Sequence, residues 1–96
     1  MPSYRVTMTI GALQPGVRPD AVLPAAARAA AEHTTVEASD LAVVAGQARA
    51  TVRFTADDNA AALTIGRHVV AETRLVADPV AWQVTERVKG RWFPVR

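Results

Sequence analysis

At 96 residues, half of them apolar and 21% charged, the chain has material for one core, which argues against both a two-domain and a disordered reading. It contains no cysteine, so disulfides, thiolate nucleophiles and cysteine-based zinc or iron–sulfur centres are excluded. Ten arginines and one lysine leave a net charge of only +2, too little for total charge alone to require a polyanionic partner.

Tyr4-Arg5-Val6-Thr7-Met8-Thr9-Ile10 alternates as a strand, with Tyr4, Val6, Met8 and Ile10 on one face and Arg5, Thr7 and Thr9 on the other. Gly11 to Pro19, with Pro15-Gly16 inside it, reads as a loop. Pro19-Asp20 opens an Ala-rich helix to about His33, in which Pro24 is tolerable only near the first turn. Leu41–Val44 is a second strand, broken at Gly46-Gln47. In the third, Ala48, Ala50, Val52 and Phe54 alternate with Arg49, Thr51, Arg53 and Thr55, so the pair should form a hairpin. Asp57-Asp58-Asn59 supplies a capped start for a helix to about Arg74 that buries Ala62, Ile65 and Val69, with Gly66 and Thr73 beside them. Pro79 begins a last strand, where Val80, Trp82 and Val84 face one way and Ala81, Gln83, Thr85 and Arg87 the other.

Two strand–helix–strand halves joined by right-handed crossovers predict an α+β, ferredoxin-like βαββαβ sandwich. Its four antiparallel strands take the order 4-1-3-2, with two helices on one face. Residues 1–90 form this single domain. Residues 91–96 are an aromatic tail following the turn-prone Gly90, and they pack on the sheet or on a partner. The polar strand positions then make an open face. Arg5, Arg53 and Arg87 should gather at one end of it as an anion cluster, since guanidinium forks match phosphate and carboxylate. Like charges across a sheet need a compensator, for which Glu86, Asp57, Asp58 or solvent are available.

Thr7, Thr51 and Thr85, together with Trp92 and Phe93 of the tail, are the expected interface of a homodimer formed through this face. With 20 Ala and 14 Val, much of the apolar surface is small, and self-association buries more of it. Stacking of nucleic-acid bases is not expected, because the outward positions of the central strands are Arg and Thr while Tyr4 and Phe54 point inward. The start, Met1-Pro2-Ser3-Tyr4-Arg5-Val6-Thr7, lacks the pattern of a signal peptide. The uncharged stretch Val6–Val17 is too short to span a bilayer, so the expectation is a cytoplasmic protein with no membrane partner.

Catalytic and cofactor signatures are sparse. Ser3 and Ser39 have no G-x-S-x-G context and no phosphate-binding glycine loop occurs, so no cofactor is expected. His33 and His68 fall on different helices without metal-ligand spacing, although both helices cover the same sheet face; no metal site is expected.

Gly11-Ala12-Leu13-Gln14-Pro15-Gly16-Val17-Arg18 resembles the G-x-V-Q-G-V-x-F-R loop of the acylphosphatases, with Pro15 inserted and the Phe-Arg ending missing. The resemblance implies an anion loop at Gln14, Gly16, Val17 and Arg18 and a phosphate-handling hydrolase. It departs from that family in having no Asn on the third strand, the only one being Asn59. The primary expectation is a small non-enzymatic association domain, homodimeric through its open face and able to accept a small anion. The acylphosphatase-like hydrolase is the alternative.

Overall fold

The computed structural model describes all 96 residues. It is an α+β sandwich with strands β1 (Ser3–Leu13), β2 (Val36–Val44), β3 (Gln47–Thr55), β4 (Ala77–Val88) and β5 (Arg91–Pro94), and helices α1 (Val22–Ala31) and α2 (Asn59–Thr73). The sheet is antiparallel throughout, in the order β2-β3-β1-β4-β5. Where four strands were expected there are five. Lys89 and Gly90 both have positive φ and close a two-residue hairpin, so the chain after Val88 folds back along β4. Ala45-Gly46 makes the same turn between β2 and β3.

Boundaries also differ from the sequence reading: β4 begins at Ala77 rather than Pro79, and α1 runs from Val22 to Ala31 after a single 3₁₀ turn at Pro19–Ala21. β2 begins at Val36 rather than Leu41, because pairing with β3 carries the polar Glu37–Asp40 stretch that propensity alone leaves as loop. β1 runs on through Gly11 to Leu13, against Ala77 of β4, with register shifts after Thr9 and after Ile10. A side chain at Gly11 would meet Val80 Cγ1 at 2.9 Å, so the missing Cβ is what lets the two strands approach. Val80 falls within the first of these irregularities and is exposed, instead of joining Trp82 and Val84 on the inner face.

The core lies between the sheet and the two helices. β1 contributes Tyr4, Val6, Met8 and Ile10, and β3 contributes Ala50, Val52 and Phe54. α1 buries Val22, Ala26, Ala29 and Ala30, a stripe of mostly small side chains that lets the helix sit close. α2 buries Ala62, Ile65, Gly66, Val69, Val70 and Thr73. Its N-terminus is capped as its sequence implies, with Asp58 accepting the Ala61 N–H at 2.8 Å. Buried Thr73 donates to Val69 O at 2.7 Å, and no buried side-chain polar atom lacks a partner. No helix is long and apolar enough to cross a membrane.

Candidate functional site

The face of the sheet opposite the helices carries the polar half of each alternation. Arg5 and Arg53 are register partners on the adjacent strands β1 and β3, so their side chains stand next to each other on this face. On its other side Arg5 is paired with Thr85 of β4. Thr7 and Thr51 follow one pleat along, with Gln83 opposite Thr7. Arg5, Thr7, Thr51, Gln83 and Thr85, together with Trp92, Pro94 and Arg49, rim a shallow hollow of about 390 Å³.

What holds two like charges together is local, and it is not what the sequence offered. Glu37, in the irregular first turn of β2, accepts from Arg53 Nε at 3.2 Å and from Ser3 Oγ at 2.6 Å. Trp92 lies over Arg5, with the guanidinium carbon 3.9 Å from the ring centroid, and over Arg53 at 5.5 Å. Arg5 has no carboxylate within ion-pair distance. Glu86 pairs with Tyr4 and so faces the helix side, which removes it as a neutraliser. Arg87 sits two residues beyond Thr85, opposite Trp92, and is exposed. Its charge contributes to the field on Glu37.

The hydrogen bond from Ser3, and after it the charge and hydrogen bond of Arg53 and the charge of Arg87, hold the Glu37 carboxyl below its ordinary value of 4.5 against an opposing desolvation. A depressed carboxyl contributes stability that is present above its unfolded-state pKa and lost as pH falls through the folded-state value. Melting temperatures of the native chain should therefore fall more steeply below pH 4.5 than those of Glu37→Gln, the difference between them narrowing with acidity. Parallel curves would show that the Glu37 contacts contribute nothing in solution.

The tail residues separate by strand alternation. Trp92 joins the open face over Arg5, while Thr85, opposite Pro94 of β5, is only 8% exposed and so has little surface to give an interface. Phe93 pairs with Glu86 and points to the helix side, 48% exposed. The pair expected to act together on one surface is thus divided between two, because consecutive strand residues face opposite ways. Val95 N–H donates to Val84 O at 2.9 Å and its side chain enters the core, which fixes the tail on its own sheet.

The Gln14–Arg18 segment is a tight turn in which Val17 N–H bonds Gln14 O at 3.1 Å and Gln14 N–H bonds Val76 O at 2.9 Å. The Gln14 amide side chain donates to Arg74 O, and the exposed Arg18 pairs with Asp20 at 3.5 Å. Pro15 has no N–H and two of the remaining amides are engaged, while Gly16, at φ 81°, supplies the turn. These residues do not converge on a common point. His33 and His68, by contrast, meet edge to face with ring centroids 4.4 Å apart.

No family model matches the chain, and no curated protein or solved structure matches it.

Proposed function

We propose that the chain is a small non-enzymatic association domain of ferredoxin-like architecture. Its open sheet face takes a carboxylate or phosphate group at the Arg5–Arg53 end and meets a second copy over its threonine-lined middle. In support of the architecture, β4, β1, β3 and β2 are neighbours in that order, with β5 an addition at the β4 edge. The observation that carries the anion reading is Arg5. Its guanidinium is stacked beneath Trp92 and lacks an acidic partner, while Arg53 beside it is already engaged by Glu37. Stacking occupies a face of the guanidinium plane and leaves its N–H edge free to donate, the geometry that suits a two-oxygen anion. The second copy rests on the neutral Thr7, Thr51 and Gln83, which lie between the Arg5–Arg53 pair and Arg49.

Thermal shift and calorimetry with phosphate and citrate at low ionic strength test the anion site. Saturable binding is expected, weakened roughly ten- to hundredfold by Arg5→Gln or Arg53→Gln, as loss of a charge-assisted hydrogen bond implies. An absent response, or an equal one in both variants, rejects it. Light scattering separately tests the second copy, for which the expected mass is twice the 10.2 kDa of one chain. A monomer at high micromolar concentration removes the dimer and leaves the anion site to its own measurement.

A further inference from the structure

We infer that the helix layer carries a divalent transition-metal site, suited to Zn²⁺, whose ligands are Glu32, His68 and Glu72. Glu32 is the C-terminal cap of α1. His68 and Glu72 lie four residues apart on α2, and so on one face of that helix. The packing of α1 against α2 brings His68 Nε2 to 3.2 Å from Glu32 Oε1, across a separation of 36 residues. One donor atom from each of the three residues lies within 4.8 Å of the other two. Zinc binds imidazole nitrogen and carboxylate oxygen at about 2.0–2.2 Å, so two ligands at a tetrahedral angle stand roughly 3.4 Å apart. The His68–Glu32 separation is close to that value, and the Glu72 carboxylate, within 4.8 Å of both, is the third donor of a set with one open position.

Electrostatics points the same way. The structure sets two carboxylates beside each other, and Glu72 makes no ion pair at all. The only ion-pair partner of Glu32 is His68. Arg28 lines a hollow with Glu32 and Glu72 without reaching ion-pair distance of either glutamate. A cation held by all three side chains sits between the two carboxylates and balances their charge. One nitrogen with two oxygen donors favours a borderline ion such as Zn²⁺ over Mg²⁺ or Ca²⁺, which prefer oxygen. His33 packs against His68, and the two line a hollow with Ala61, Thr64 and Ile65, but the His33 ring is not among the three residues whose donor atoms converge. The site lies on the helix layer, remote from the arginines of the sheet face, and is independent of the function proposed for them.

The test is calorimetric titration of the intact chain with zinc chloride, alongside melting curves. Expected are one saturable site per chain and a midpoint raised by roughly 10 °C at zinc a hundredfold above Kd, since the ion binds only the folded form. His68→Gln and Glu72→Gln should each weaken binding by at least about tenfold, the loss that even outer-shell changes cause, while His33→Gln retains it. Absence of saturable binding, undiminished binding in both ligand variants, loss only in His33→Gln, or equal stabilisation by magnesium chloride would each overturn the site. Should a variant fail to fold, the imidazole nitrogen resonances of the native chain decide. Zinc must shift those of His68, and a response confined to His33, or none, rejects the assignment.

Discussion

Phe54→Ala is expected to lower the unfolding free energy by about 3–5 kcal/mol, the range for removing a fully buried aromatic ring. Phe54 is wholly inaccessible, sits between Tyr4 of β1 and Val36 of β2, and stacks on Tyr4 with centroids 6.0 Å apart. No neighbour can collapse into the vacancy without leaving its strand register. A domain of this size has roughly 5–15 kcal/mol in total, so the loss is a large fraction of it. The thermal midpoint should drop by roughly 15–30 °C. Phe54→Leu, which keeps most of the volume, should cost less than half as much. A fall of only a few degrees for the alanine variant would mean that the Tyr4–Phe54 layer is not close-packed in solution.

Gly66→Val should be the next most damaging single change. Gly66 lies inside α2, where glycine is ordinarily a liability and alanine would gain about 1 kcal/mol in helix propensity. Here a Cβ would stand 2.5 Å from Val84 Cγ2. Val84 is buried, β-branched and held in the centre of β4, so it cannot swing aside. Overpacking of this kind costs about 1–3 kcal/mol, enough to outweigh the propensity gain even for Gly66→Ala. Valine adds two more methyl groups at the same point and should reach or exceed the upper end of that range. Chemical denaturation of the three proteins orders them Gly, Ala, Val by decreasing stability. A more stable alanine variant would show that α2 can lift from the sheet at little cost.

Much of this architecture was readable from alternation alone. Tyr4, Val6, Met8 and Ile10, and the Ala50-Val52-Phe54 series, are buried as their period of two requires, because a strand shifted by one residue would expose all of them together. α2 was similarly legible, from Asp58 as cap to its stripe of buried positions, with Val70 the one buried residue that its pattern did not single out. The fifth strand was harder to see. Four residues containing a proline carry little strand signal, and β5 exists because a Lys89-Gly90 turn delivers them to a free edge of β4.

The candidate sites divide along the same line. That Arg5, Thr7, Thr51 and Arg53 share one face follows from their positions in the sequence, since side-chain direction along a strand is a local property. Local pattern could not foresee that Glu37 and Trp92 would be their companions, because one comes from a β2 stretch with weak strand propensity and the other from a hairpin two strands away. At the metal site the i, i+4 spacing of His68 and Glu72 is local, but that Glu32, 36 residues before His68, would join them is not. Local periodicity sets which way each side chain points, through backbone geometry that neighbours in sequence control. Which distant side chains then meet depends on strand order, hairpin closure and helix packing, and these are settled by the burial of the whole core at once.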